Sequence, residues 1–587
     1  MKMRVSDYIV KTLELNGIDT LFSITGGFAM HLNDSFGRSN FKVHYQHHEQ
    51  ACGYSAVGYT KACGRPSVVC TTAGCAATNA ISPCLVAYQD SVPVLFISGQ
   101  VKSTEAIRST NTETMKLRHY AGADCDIVSA VSEMTKYSHE VTNVSEIPSV
   151  MMKAIESLIS GRPGPVWLSI PVDIQGMQIN EDLKVYTLPK FESESIDLSN
   201  LYECIQASKR PVLLIGNGVK LAGCQKQLQD FLTKYPIPCV VTMLSTDLLE
   251  TSHPMNFGKI GLVGDRCGNF VMQNCDLLIS LGCRMAQGIV GYRADWFVRE
   301  AKVIYIDNDA NELKKTNIKY HMKVNADIRT FFHSFQATLP NYSDWIAKCD
   351  HWKSRWLFET PSISESEQVN PYIALKCLYN LAPENKTSVV SSGSIVTNVW
   401  HMINVKKNDK FIISSQGDMG FELPAAIGCQ IAYPDKLVIS ILGEGSLQLN
   451  IQELQTILQY NLPMKILVFN NAAYGAIVIT QKNFFNAKFG VDVSSGISFP
   501  STEKIAGAYG IKYDSIQDYS NMEDKINQFI NYDGAILLEV FCCIQSRYPR
   551  LSAIKNEDGT FTNRPFEDMF PFLEREDFKN EMIVSIV

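Results

Sequence analysis

Residues 436–477 read KLVISILGEGSLQLNIQELQTILQYNLPMKILVFNNAAYGAI. An apolar run ends in Gly443, Glu444 and Gly445, a helical pattern carries Ile451, Leu454 and Leu458 on one face, and a second apolar run ends at Asn470 and Asn471. Two strands joined by a helix predict a parallel pair, and in an open parallel sheet ligands bind at the carboxyl ends of strands. Glu444 and Asn471 can then address one ion. A hard cation such as Mg²⁺ takes carboxylate, amide and carbonyl oxygens plus phosphate, and the Ala473 carbonyl completes the protein's share. Gly443 and Gly445 let a diphosphate approach the backbone, while Ser446 opens a helix whose free N–H groups favour an anion.

The same alternation runs outward in both directions. Before residue 180 the apolar segments DTLFSITGG, VHYQHHEQ, PSVVCTTAG, VPVLFISG and PVWLSIPVD are separated by glycine turns and helical stretches. RPVLLIGNGV, PCVVTML, CDLLISLGCR and AKVIYIDND follow, and then TSVVSSG, DKFIISSQG, KLVISILGEG, MKILVFNN and AILLEVFC. This predicts an α/β protein of three domains, over residues 1–185, 200–340 and 365–587, each a parallel sheet flanked by helices. LPKFESESIDLS at 188–199 reads as a polar linker, and 342–356 as a polar helix with spaced aromatics.

The 587 residues, 45% hydrophobic, exclude a small binding module and a mainly disordered chain. Lys and Arg number 53 against 60 Asp and Glu, a net charge of −7 with the signs interspersed, so no nucleic-acid-binding surface is expected. The 17 Cys lie in apolar runs such as VVCTTAGCAA and read as buried thiols of a reducing compartment. Cys542 and Cys543 lack metal-ligand spacing. Asp7, Lys11 and Glu14 interrupt the N-terminus where a signal peptide needs an apolar core, and no run spans a membrane, which leaves the cytoplasm as the default.

Gly443–Glu444–Gly445, one strand–helix–strand crossover and then Asn470–Asn471, with 24 residues between Gly445 and Asn470, resembles the diphosphate and magnesium motif of thiamine diphosphate enzymes. That motif is normally written GDG and NN, so Glu444 adds a methylene. SSQGDMGFELPAAIG, residues 414–428, resembles the segment beside the thiazolium ring. The resemblance makes Met419 the apolar wedge that bends the cofactor, with Gly417 and Gly420 as turn glycines. It makes Glu49, in HYQHHEQACGYS, the glutamate that hydrogen-bonds the pyrimidine and assists loss of the thiazolium proton, a role that partial burial would suit. Gly74 in TTAGCAATN and Gly26 and Gly27 in SITGGFAMH match the other cofactor turns, with Phe28 and His31 near the reaction space. Cys75 stands where Pro is usual.

The resemblance covers nearly the whole chain and is nearest the acetolactate synthase-like branch. It implies that pyruvate or a similar 2-oxo acid loses carbon dioxide and that the two-carbon remainder passes to an acceptor carbonyl, a second oxo acid or a nucleotide-linked keto sugar. The tail NRPFEDMFPFL, residues 563–573, resembles the sugar-modifying subgroup. A homodimer or homotetramer with sites between subunits is implied too. Structural FAD is left open for the central domain, with Arg284 in DLLISLGCRMAQGIVGY and Asp307 in IYIDNDANEL as its candidate contacts. Besides Glu444 and Cys75, three positions depart from the branch: Ala123 and Asp124 replace a Gln-Glu pair, and Ser391 stands where Asp is frequent. Arg118 and Lys136 can bind a carboxylate or phosphate of a substrate. A decarboxylase or C–C lyase without ligation, and a catalytically silent homologue, are the alternatives.

Overall fold

The computed structural model describes residues 2–180, 182–187, 195–361, 368–544, 548–551 and 553–587. Of the linker expected over 188–199, residues 188–194 lie outside the described residues. Three six-stranded parallel sheets, each covered by helices, make up the α/β architecture that the repeated strand–turn–helix pattern predicts. The first orders its strands Lys42–Tyr45, Thr20–Ser23, Ser67–Thr71, Val94–Gln100, Val166–Pro171, Tyr137–Glu140. The third orders them Lys410–Ile412, Thr387–Val389, Val438–Gly443, Lys465–Asn470, Ile536–Phe541, Lys512–Ile516. Numbered within its own sheet, each is 2-1-3-4-6-5. The central sheet runs Asn256–Lys259, Cys239–Val241, Pro211–Ile215, Leu277–Leu281, Lys302–Asp307, Met322–Asn325. Its order, 3-2-1-4-5-6, is that of doubly wound dinucleotide-binding domains.

Four strands of these three sheets escape the apolar-run reading: Tyr137–Glu140, Asn256–Lys259, Met322–Asn325 and Lys512–Ile516. All four are sheet edges. An inner strand of a parallel sheet is buried on both faces and is therefore largely apolar, whereas an edge strand tolerates more polar side chains.

The first and third domains meet through two helices, Glu49–Cys63 and Glu422–Ala432, whose facing residues are mostly Ala, Gly, Ser and Cys. Small side chains let the backbones touch. A Cβ on Gly58 would sit 2.1 Å from the Ala425 carbonyl oxygen, and one on Gly428 only 1.9 Å from that of Ser55. The Ser55 hydroxyl donates to the Pro424 carbonyl at 2.7 Å across the same crossing. The central domain joins them through Arg162, whose guanidinium donates to Asp309 at 3.1 Å and Glu312 at 3.0 Å, and through Trp400, whose indole N–H donates to Thr246 at 2.7 Å.

After the third sheet the chain returns to the central domain. Phe566 and Phe578 enter its core, and fully buried Glu567 accepts from Gln273 at 2.9 Å and pairs with Arg299 at 2.8 Å. Most of the 17 cysteines are buried, and no disulfide joins any of them among the described residues. Among the described residues no helix is long and apolar enough to cross a membrane.

Gly428→Val forces a branched side chain into a backbone contact, so it should lower the free energy of unfolding in urea by about 3 kcal/mol or more. Gly507, with nothing within 4 Å of its would-be Cβ, is the control. Gly507→Ala should leave stability unchanged or raise it by up to about 1 kcal/mol.

Candidate active site

The strands Val438–Gly443 and Lys465–Asn470 are adjacent and in register, Gly443 opposite Phe469, so the turns that follow them share one stretch of the sheet's carboxyl edge. The first turn passes directly into a short helix, Glu444–Leu447. It therefore starts two residues before Ser446, where the sequence placed it. Glu444 is 4% exposed, and its Oε1 accepts the Ala473 N–H at 3.0 Å. Asn471 Oδ1 accepts the same N–H at 3.1 Å. The two turns are thus closed on each other by the three residues that the spacing singled out as ion ligands.

Burial pushes the Glu444 carboxyl up to about 7, with Glu539 adding like-charge repulsion. A carboxylate so placed is better accommodated once a cation joins it. Among the described residues there is no cluster of three or more His, Cys, Asp or Glu side chains with metal-holding geometry. One carboxylate, one amide oxygen and one carbonyl fit a hard cation that phosphate oxygens complete, and they do not fit a transition-metal centre. Gly445 leaves no room for a side chain, since its Cβ would lie 2.4 Å from the Tyr474 ring. Asn470 instead pins the turn, its amide donating to Glu539 at 2.7 Å while its Oδ1 accepts the Ala472 N–H at 2.9 Å.

Ser446 is 4% exposed and its hydroxyl is committed to the protein. It donates to Glu422 at 2.6 Å and accepts the Gly420 N–H at 2.8 Å. Glu422, fully buried, also accepts the Ser392 N–H at 2.9 Å and hydroxyl at 2.7 Å, and burial raises its carboxyl above the usual range. This network holds the loop of Gly417, Met419 and Gly420 against the Glu444 turn. Met419 is half-buried there, in the segment leading into helix Glu422–Ala432. The sequence reading missed Glu422, whose signal was a lone carboxylate opening an apolar helix. Leu458 is 43% exposed; Leu454 and Ile457 form the buried face instead.

The carboxyl edge of the first sheet gathers a second set. Gly26 precedes the turn Gly27–Ala29, where the Phe28 N–H donates to the Thr72 hydroxyl at 3.1 Å and its carbonyl accepts from Gln175 at 2.8 Å. Gly74 caps the helix Cys75–Asn79 with a positive φ of 68° and lies against the Ala123 backbone. His31, one turn past Phe28, packs beside Gly176. Glu49 begins its helix, half-buried, and its carboxylate accepts from Asn79 at 3.0 Å. Among the described residues it has no partner in the third domain. Arg118 stays apart in an exposed loop, where no described residue bonds or pairs with it. The Lys136 ammonium caps the Ser160 carbonyl at 2.6 Å.

A third site opens where the central sheet changes direction. Cavities of about 670 and 290 Å³ adjoin here and share Asn217, Gly218, Gly282, Asp307 and Asn308. Arg162 and Asp90 of the first domain also line both, and Ile413 of the third lines the larger. The Gly218 N–H donates to the Gly282 carbonyl at 2.9 Å, so two strand ends touch at the cavity floor. Asp307 is 8% exposed and pushed up to about 6 by burial. The Arg284 guanidinium donates to the Gln89 carbonyl at 2.7 Å.

Residues 3–128 match the family model of the thiamine pyrophosphate enzymes' N-terminal TPP binding domain, 198–335 their central domain, and 391–540 their C-terminal TPP binding domain. The chain belongs to the thiamine pyrophosphate enzymes. It is similar to the probable acetolactate synthase large subunit of Methanocaldococcus jannaschii, 29% identical over 92% of each chain. The acetolactate synthase isozyme 2 large subunit of Escherichia coli is 29% identical over 92% of this chain and 95% of its own. The acetolactate synthase large subunit of Lactococcus lactis is 29% identical over 91% and 92%. All three domains of a thiamine pyrophosphate enzyme are therefore present in family order, and the resemblance drawn from the motifs holds along the chain.

Ser446→Ala removes the donor to Glu422 Oε2 and leaves that buried oxygen unsatisfied. Urea unfolding should show a loss of about 1–3 kcal/mol, together with weaker binding of thiamine diphosphate by calorimetry.

Proposed function

We propose that this thiamine pyrophosphate enzyme is a Mg²⁺-dependent carboligase that removes carbon dioxide from a 2-oxo acid, pyruvate first, and transfers the two-carbon remainder to a second oxo acid. The observation that carries the reading is the closure of the Glu444 and Asn471 turns on each other through the Ala473 N–H around one buried carboxylate, in a chain similar over 92% of its length to acetolactate synthases. Glu444, Asn471 Oδ1 and the Ala473 carbonyl would hold the cation, and Gly443, Gly445 and the backbone N–H groups of the short helix would receive the diphosphate. When bound, thiamine diphosphate supplies an acidic carbon that adds to a carbonyl and takes up the electrons left by carbon dioxide.

The protein's own share is geometry and proton handling. Glu49 would hold the proton exchanged with the pyrimidine ring, Met419 would enforce the bent cofactor, and Phe28 and His31 would bound the oxo acid. Because Glu49 finds only Asn79 of its own domain, the pyrimidine half of each site is proposed to come from a second subunit, which requires at least a homodimer. A keto-sugar acceptor rests on the tail motif alone. There Phe566 fills the central core, Glu567 pairs with Arg299, and the Met569 and Pro571 carbonyls accept from Arg266 at 3.1 and 2.8 Å. Packing accounts for these residues, so the oxo acid is preferred. The cavity at the central switch point suits a dinucleotide, FAD by resemblance, with Asp307 accepting from ribose hydroxyls.

Cofactor-loaded protein given pyruvate should release carbon dioxide and form acetolactate; acetaldehyde as the sole carbon product would replace ligation by simple decarboxylation. Glu49→Gln should lower turnover about 10²–10⁴-fold while the cofactor stays bound. Asn471→Ala should raise the Mg²⁺ concentration needed for half-maximal activity; an unchanged requirement would remove Asn471 from the metal site. Protein purified with a flavin absorbance spectrum would support the dinucleotide, and failure to retain added FAD would exclude it.

A further inference from the structure

Glu453 is fully buried, and the chemistry above gives it no part. It opens the helix Glu453–Gln459, a short way beyond the Glu444 turn, and reaches across to the first domain. Its Oε1 accepts the His47 N–H at 3.2 Å, and its Oε2 accepts the Gln46 amide at 3.3 Å and the Thr456 hydroxyl at 2.6 Å. Gln46 donates as well to Ser55 at 2.8 Å, on the helix that Glu49 begins. Three residues before Glu453, the Asn450 amide donates to Gln50 at 3.2 Å and to the Gly420 carbonyl at 2.7 Å. Glu49 thus lies between two anchored points, 46–47 and 50, and both anchors belong to one segment of the third domain. That segment also reaches the loop that carries Met419.

We propose that Glu453 and Asn450 are positioning residues: they lock the turn 46–50, and with it the Glu49 carboxylate, onto the segment 450–453 of the same chain's third domain. The proposal rests on reading Glu49 as the proton-handling group. Glu453 is suited to this because an ionised carboxylate is a pure acceptor, matching a backbone N–H, an amide and a hydroxyl that all donate. Glutamine there would turn an NH₂ group toward one of those donors. A misplacement of about 1 Å at a reacting group can cost about 10²-fold, while an interdomain tie of purely structural value would alter stability alone.

The test compares Glu453→Gln, Asn450→Ala, Glu49→Gln and the Glu49→Gln/Glu453→Gln pair in cofactor-loaded protein, reading exchange of the cofactor's acidic proton with D₂O. Amide hydrogen exchange of the 44–52 peptide is followed in parallel on the cofactor-free chain. Glu453→Gln should slow cofactor-proton exchange about 10–100-fold, speed amide exchange of that peptide, and leave cofactor affinity within about threefold. The double variant should be no slower than Glu49→Gln alone, because residues acting as one unit are not additive. Full additivity would overturn the proposal, as would wild-type proton exchange in Glu453→Gln despite a deprotected 44–52 peptide. Unchanged proton exchange in Glu49→Gln would overturn the Glu49 reading, and this proposal with it. Should Glu453→Gln not fold, Gln50→Ala, which cuts the Asn450 anchor at a half-buried side chain, is judged by the same two outcomes.

Discussion

The structure depends on one close crossing. Helices Glu49–Cys63 and Glu422–Ala432 approach until backbone meets backbone, which side chains larger than Ala or Ser at the contact would forbid. Gly58 and Gly428 make the approach possible, and the Ser55 bond to Pro424 fixes its angle. Glu49 and the Met419 loop lie at the entrances to these two helices. The distance between the domains is therefore set by a steric limit, which is stiffer than a charge pair or an apolar face of long side chains.

Among the carboxylates that the third domain buries are Glu422, Glu444 and Glu453, whose hydrogen-bond donors are hydroxyls, amides and backbone N–H groups. Burial raises all three, and two of them serve as fixed acceptors that tie loops together. Glu444 differs because only backbone N–H groups reach it. Side-chain hydroxyls and amides tie up the other two, so similar burial produces two braces between loops and one carboxylate held by backbone alone.

The sheets were legible because inner strands of parallel sheets are largely apolar on both faces, and the pattern failed only at edges such as Lys512–Ile516, where the requirement lapses. The Glu444 to Asn471 spacing was legible because both turns follow adjacent strands of a single crossover. What the sequence could not disclose were contacts between distant segments. Glu453 looks like an ordinary polar residue of an amphipathic helix until His47, some four hundred positions away, is brought against it. Arg162 likewise reads as a loop residue before Asp309 and Glu312 meet it. Arg118, whose charge suggested a ligand, is exposed on a loop.

The first and third sheets share one strand order, and in each the helix after the second strand makes the crossing. The contacts are reciprocal, Gly58 with Ala425 and Gly428 with Ser55, as in a two-fold interface. The spacing that relates Ser55 to Ala425 and Gly58 to Gly428 also relates Glu49 to Met419. Within one chain the two domains thus share a strand order and a reciprocal crossing, and the equivalent place in that frame holds Glu49 in one and Met419 in the other. The crossing therefore acts as an approximate two-fold axis inside a single chain, so a bulky substitution at Gly58 or at Gly428 would disturb equivalent places in the two domains.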